Sequence, residues 1–403
     1  MRILVSGAGV AGPALAYWLR HAGYEPTLVE AAPQLRTGGY MIDFWGAGYT
    51  VAERMGILPQ VRAAGYSVGE VRFVDGRGRR AGGFSTGAIR RMMGDQFTSL
   101  PRGDLAAEVY RTVDGQVETI FGDSVAAVDE HDGGVLVAFA SGAARDFDLV
   151  IGADGLHSTV RNLAFGPEPT FERELGYFAA AFEAPAYRPR DELTYVSYAA
   201  PGRQISRFAQ RGDTTLILFV FAAELLTGPE PRDLIERKAA LHRIFGACGW
   251  ECPQILRAMD GASDLYFDRV SQIVIDRWSK GRVALIGDAA ACVSLLAGEG
   301  CGLALIEAYV LAGELRLAGA DYGRAFRNYE TRLRPFIEGK QKAARNFAAS
   351  FTPKSAFGIW VRDQATRAMA LPMVADLLIG GSLRDDITLP DYGVYRRSKS
   401  SAP

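Results

Sequence analysis

The first thirty residues constrain this chain more than any other stretch. Arg2–Ser6 (RILVS) reads as a short buried strand, and Gly7–Gly12 (GAGVAG) as a glycine-spaced turn. PALAYWLRHAG follows as a helix with Leu15 and Leu19 four apart on one face, and Glu25–Glu30 (EPTLVE) is a second strand ending in a carboxylate. This is a βαβ unit with Gly7, Gly9 and Gly12 at G-x-G-x-x-G positions. Gly7 permits the tight turn, Gly9 lets a pyrophosphate approach the backbone, and Gly12 lets the helix pack close to the strand. The helix start, Ala11 included, turns free N–H groups and a positive dipole end toward phosphate. Glu30, 18 residues after Gly12, is placed to accept hydrogen bonds from the adenosine ribose, and its charge repels a 2′-phosphate there. With 46 glycines in 403 residues the pattern alone is weak, so its placement between two strands carries the dinucleotide assignment.

Composition narrows the partners. A chain 48% hydrophobic and 23% charged, with formal net charge −1, suits one large or two medium soluble domains. It offers no electrostatic basis for nucleic acid or an acidic membrane. The N-terminus superficially resembles a signal peptide, but its glycine spacing argues for folded structure. No other stretch has 18 consecutive apolar residues, so no membrane span is expected, and the location is read as cytoplasmic. Cys248, Cys252, Cys292 and Cys301 lack zinc spacing, which leaves reduced thiols and no metal site. No histidine pairs with a Ser or Cys as in nucleophilic catalysis.

Two further stretches recur to the same chemistry. Phe147–Arg161 (FDLVIGADGLHSTVR) is a buried strand, an Asp-Gly turn and a helix start with Ser158 as a cap. Residues 281–302 (GRVALIGDAAACVSLLAGEGCG) run an apolar strand into Asp288 and a glycine-spaced loop. Together with GAGVAG, in this order, these motifs resemble the class A FAD-dependent monooxygenases, the aromatic hydroxylase and tetracycline-monooxygenase-like flavoproteins. The resemblance covers about residues 1–345.

It implies an α/β fold: a Rossmann-like FAD-binding domain carrying the GxGxxG, DG and GD motifs, an inserted antiparallel β-sheet substrate domain, and C-terminal helices. The expected division gives residues 1–70, 100–170 and 275–345 to FAD, and 71–99 and 171–274 to substrate. A helical segment over 346–390 and a tail over 391–403, its basic and polar residues 395–403 read as frayed, complete it. By the same resemblance Arg36 and Asp43 lie in the segment passing under the flavin, and Arg102 reaches FAD. Asp154 belongs to a motif linked to both FAD and NAD(P)H, with Arg161 either a cofactor contact or a structural tie. Asp288 bonds the ribityl chain, and Gly298 and Gly300 let the next turn approach the ring. The following helix aims its N-terminus at the ring's pyrimidine edge, which stabilises reduced flavin.

The implied reaction consumes NADPH or NADH and O2 and transfers one oxygen atom, through a flavin C4a-hydroperoxide, to an aromatic or polyketide-like molecule. The chemistry is flavin-centred, with no catalytic side chain. Departures from the family pattern are Ala291 for the usual His, Leu295 for the usual Pro, Gly302 and Glu307 at the helix's usual Asn and Asp positions, and Glu299 in the glycine loop. They keep open a reductase or oxidase without oxygen transfer, and a non-catalytic FAD-binding partner.

Between the late motifs, residues 174–222 alternate apolar and polar residues between Gly/Pro turns, as an antiparallel sheet does. Tyr177, Tyr195, Phe208 and Phe219, with Leu295, are the expected lining for a flat apolar substrate. Residues 71–85 are expected to add a hairpin to this sheet, and residues 322–351 to form a long amphipathic helix across both domains. A monomer or homodimer is expected.

Overall fold

Arg2–Ser6 is buried along its last four residues because it lies inside a sheet rather than at an edge. In the computed structural model the sheet order is Ser279–Lys280, Val283–Leu285, Leu149–Gly152, Arg2–Ser6, Glu25–Glu30, Glu118–Phe121. The pairings are parallel apart from the Ser279–Lys280 edge, and these strands read as apolar runs because helices cover their faces. The structure describes residues 1–36, 38–87, 96–369 and 387–393, with the side chains of 346–350 excepted. Within the helical segment expected over 346–390, a helix runs Ala356–Ala368, and residues 370–386 lie outside the described residues, as do residues 88–95 of the 71–99 segment.

The parallel register sets the site. Ser6 pairs with Gly152, and Gly152 with Leu285, so three strands end side by side at one sheet edge. The turns that follow them begin at Gly7, Ala153 and Ile286, and such an edge is where open α/β sheets bind ligands.

A second sheet of seven strands runs Tyr266–Ile273, Glu172–Pro185, Thr214–Ala222, Arg203–Gln210, Thr194–Ala200, Glu70–Val74, Arg80–Ser85. It is antiparallel except where Glu70–Val74 pairs parallel with Thr194–Ala200, which attaches the expected hairpin to its edge. Alternation gives this sheet two apolar faces. One buries Phe178, Phe182, Phe219 and Phe221 against helices Leu234–Phe245 and Cys252–Asp260. The other buries Tyr177, Ala179, Val220 and Val270 with Leu295 and Leu296 packed against them. Each such aromatic contributes about 1.5–3 kcal/mol through burial.

Helix Gly300–Ala318 is apolar almost all round because helices enclose it. Against helix Gly46–Met55 the backbones nearly touch: a β-carbon on Gly48 would lie 2.6 Å from the Gly302 Cα. Helix Tyr322–Phe351 crosses from this region to the seven-stranded sheet, where Gln341 Nε2 donates to Ile273 O at 2.8 Å and Cys292 O at 3.0 Å.

The start of the expected tail is anchored. Tyr392 is buried, its ring fills the notch left by Gly313, and its hydroxyl donates to Glu314 Oε1 at 2.7 Å.

Candidate functional site

The glycine loop is built by close approaches that only glycine tolerates. Gly7 has φ +104°, and a β-carbon there would lie 2.5 Å from the Ala153 carbonyl oxygen. A β-carbon on Gly12 would lie 1.9 Å from the Gly7 carbonyl oxygen. Gly9 is different. Its nearest neighbour would be Arg102 Nη2 at 3.7 Å, so open room lies before the loop with a cation across it. No side chain caps the start of helix Ala11–His21, which leaves its first N–H groups to a ligand. Ala11 packs against the turn of another motif, 3.2 Å from where a Gly287 β-carbon would be. Glu30 accepts from Ala8 N–H (2.8 Å) and Ala32 N–H (2.9 Å), and a carboxylate has further lone pairs with which to accept from other donors.

Asp154 holds the next turn. It accepts from Ser158 Oγ at 2.5 Å and Val160 N–H at 3.1 Å, while Ser158 caps helix Thr159–Ala164 by accepting from Arg161 N–H. Burial pushes the Asp154 carboxyl above the usual carboxylate range. Arg161 is wholly buried and donates to Ala289 O (3.1 Å), Leu156 O (2.6 Å) and Glu168 Oε2 (2.7 Å). Of the two roles open to it, the geometry gives the structural tie. His157, in the same turn, sits between Asp268 and Glu168, and their hydrogen bonds raise its pKa to about 9.

The third turn brings Asp288 beside the glycine-spaced loop, 3.5 Å from where a Gly300 β-carbon would be. Gly298 has φ +68° and lies against the backbone of Asp43. Between this loop and Gly9 stands Arg102, at the start of helix Arg102–Arg111. Burial alone would lower its pKa, but the electrostatic pull of Tyr40, Cys301 and Asp288 raises it. Arg102 is also hydrogen-bonded to the Cys301 thiol, whose pKa burial pushes up to about 11.

Asp43 lies on a strand pairing Ser99, whose Oγ donates to Asp43 Oδ1 at 2.5 Å. Enclosure pushes its carboxyl above the usual range. It lines a small cavity with Trp45, Glu299, Gly302 and Lys340. Glu299 is not an uncompensated charge: Lys340 Nζ lies 3.0 Å from its Oε2. Arg36 is exposed at the loop surface. A wider open cleft of about 450 Å³, lined by Tyr66, Arg188, Arg211 and Asp213, contains none of the motif residues.

The expected substrate lining divides. Tyr195 stacks on Phe208 (5.4 Å between centroids) and lies near Asp43, whose charge adds to burial in raising its pKa. Leu295 is half-buried and packs against the Tyr177 face of the sheet. Phe219 does not line the site. It is wholly buried on the opposite face with Phe182 and Phe245, because its strand register turns it toward the covering helices. Phe208 is also wholly buried, behind Tyr195, and Tyr177 is a buried residue whose hydroxyl donates to Thr352 O.

Sequence reasoning missed Tyr40, Tyr266, Lys340 and Tyr329. Tyr40 and Tyr266 face each other at 6.0 Å beside Arg102, and come from segments 226 residues apart. No local pattern signals such pairs.

These residues fit FAD: a cradle that β-carbons would fill, uncapped helix starts for phosphate, a carboxylate for the ribose, and a second carboxylate beside bare backbone. The comparisons agree. The FAD binding domain family model matches residues 1–339. An uncharacterised protein of Mycobacterium tuberculosis (strain ATCC 25618 / H37Rv) is 40% identical over 343 residues, covering 84% of this chain and 91% of that one. A flavin-dependent monooxygenase of Legionella longbeachae serogroup 1 (strain NSW150) is 33% identical over 407 residues, covering 97% and 98%. The crystal structure of tetracycline destructase Tet(51) superposes with TM-score 0.82 at 33% identity, covering 97% of this chain and 99% of that one.

Proposed function

The chain belongs to the FAD binding domain family and is a FAD-dependent monooxygenase, and from that premise we propose that it consumes NAD(P)H and O2 to oxygenate a fused-ring or aromatic small molecule. The observation that carries this reading is Arg102. It is the half-buried cation between the open face of Gly9 and the Asp288–Cys301 loop, where it can meet a dinucleotide at both ends. Bound FAD supplies electron transfer and activation of O2. The chain supplies position and charge.

In this reading Gly7, Gly9, Ala11 and Gly12 hold the pyrophosphate, Glu30 the ribose, and Asp288 the ribityl chain. Gly298 and Gly300 give the ring room. Asp154 acts through Ser158, keeping its turn in place. Residues 1–70, 100–170 and 275–345 form the FAD-binding part, and the sheet face carrying Tyr195 and Leu295 forms the substrate wall. Similarity to tetracycline destructases along 97% of the chain favours a polycyclic, oxygen-rich substrate.

A second reading, reduction or oxidation without oxygen transfer, is favoured by Ala291 and Leu295 in place of the family's usual His and Pro. One experiment separates the two. The FAD-loaded chain is reduced with NADPH or NADH without oxygen, then mixed with oxygenated buffer and tetracycline, and the products are weighed by mass spectrometry. A product heavier by one oxygen atom from labelled O2 supports oxygenation. Hydrogen peroxide alone, over a panel of polycyclic phenols, supports the second reading.

A further inference from the structure

Glu307 is a carboxylate buried in the middle of an apolar helix, which is costly unless its lone pairs are used. They are used at one place. Gly287 N–H donates to Glu307 Oε2 at 2.7 Å, and Tyr329 O–H donates to the same oxygen at 2.8 Å. The Tyr329 hydroxyl also lies 3.2 Å from Leu285 O. Gly287 has φ 62° and ψ −145°, a conformation essentially confined to glycine, and it immediately precedes Asp288. The glycine-dependent turn that precedes Asp288 is therefore pinned from behind by the helix that follows the glycine loop.

We infer that Glu307 is a positioning residue for Asp288, and that its protonation state governs how firmly FAD is held. The inference rests on the FAD reading of this site and deepens it. Oε1 is the oxygen left to carry the proton, since Oε2 takes both hydrogen bonds. Burial raises the Glu307 pKa to about 7, against the bonds from Tyr329 and Gly287, and Asp288 adds like-charge repulsion. The charged and titratable groups bearing on it are thus Asp288 from the turn and Tyr329 from helix Tyr322–Phe351, with Glu330 and Arg334 acting on that hydroxyl. A bound dinucleotide brings more negative charge and removes water from Asp288. Both favour the protonated form of Glu307, so binding takes up a proton and weakens as pH rises through its titration.

The test dilutes the FAD-loaded full chain into buffers from about pH 5.5 to about pH 8.5 and reads released flavin by fluorescence, with a loss of affinity of about threefold expected across that range. Glu307→Gln, uncharged throughout, is expected to give a flat profile. Tyr329→Phe removes a bond that favours the ionised form, so its profile is expected to move to higher pH while the ring still packs on Trp278. If Glu307→Gln does not fold, the Tyr329→Phe shift decides alone. A wild-type profile that is flat, a Glu307→Gln profile parallel to wild type, or an unmoved Tyr329→Phe profile overturns the inference while leaving FAD binding intact. A chain that retains no FAD at any pH overturns the cofactor reading, and the inference with it.

Discussion

Gly12 stands so close to Gly7 that a β-carbon on it would lie 1.9 Å from the Gly7 carbonyl oxygen, whereas one on Gly9 would meet only Arg102 Nη2, at 3.7 Å. The two glycines of one motif therefore do different jobs. Gly12 serves the fold, and Gly9 keeps open the room that the proposed cofactor would occupy.

Gly12→Ala is expected to cost about 3 kcal/mol or more, because backbone rather than a flexible side chain must give way. Gly9→Ala is expected to change stability by only about 0.5 kcal/mol while weakening FAD binding by about tenfold. Urea denaturation and flavin titration of the two variants check this. Equal destabilisation in both would refute the division of roles.

Arg161 tests the distinction between cofactor contact and structural tie. Arg161→Met takes from Glu168 one of its two partners, His157 remaining, and takes from the carbonyls of Leu156 and Ala289 the donor the guanidinium now supplies. The expected loss is about 3 kcal/mol in stability, with FAD affinity of the folded fraction unchanged. A selective loss of FAD affinity at normal stability would assign it to the cofactor instead.

His157 gives a pH dependence with a definite sign. Its pKa is raised to about 9 by the hydrogen bonds it donates to Asp268 and Glu168, so the folded state holds its proton more firmly than the unfolded state does. The stabilisation is complete below the ordinary histidine value near 6.5 and is lost as pH rises through 9. With 57% of its side chain exposed, solvent screening holds the effect to about 1 kcal/mol or less. Melting curves of wild type and His157→Gln are expected to converge above that pH. A constant gap between them would show that charge is not the cause.

What could be read before the fold was known follows from range. GAGVAG, its flanking strands and Glu30 are contiguous, so glycine chemistry and alternation suffice to place them. Alternation made the four strands within residues 174–222 and the hairpin of residues 71–85 legible, whereas Tyr266–Ile273, which pairs with Glu172–Pro185 at the sheet's edge, carried no such signal. Phe219 was misplaced because alternation assigns residues to two faces without saying which face meets the ligand, and here both are apolar. Glu307 and Tyr329, 22 residues apart on different helices, form a pair that no periodicity encodes. Glu299 and Lys340, 41 residues apart, are the same case, so the carboxylate looked uncompensated in the sequence.

That last pair carries a prediction about the flavin. The Glu299 and Lys340 side chains are only 18% and 11% exposed, so their charges are weakly screened. Glu299 directly precedes helix Gly300–Ala318, in the loop proposed to lie beside the ring. Lys340→Met removes that cation from beside the Glu299 carboxylate, and a nearby negative charge that is less compensated opposes the addition of electrons to flavin. The midpoint potential is therefore expected to fall by about 30 mV, equivalent to about 1.4 kcal/mol for a two-electron couple. The double variant Glu299→Gln with Lys340→Met removes both charges and is expected to return close to the wild-type potential. Spectroelectrochemical titration of the FAD-loaded variants reads the difference directly. If Lys340→Met leaves the potential where it was, Glu299 points its charge away from the ring and the pair is only a surface tie.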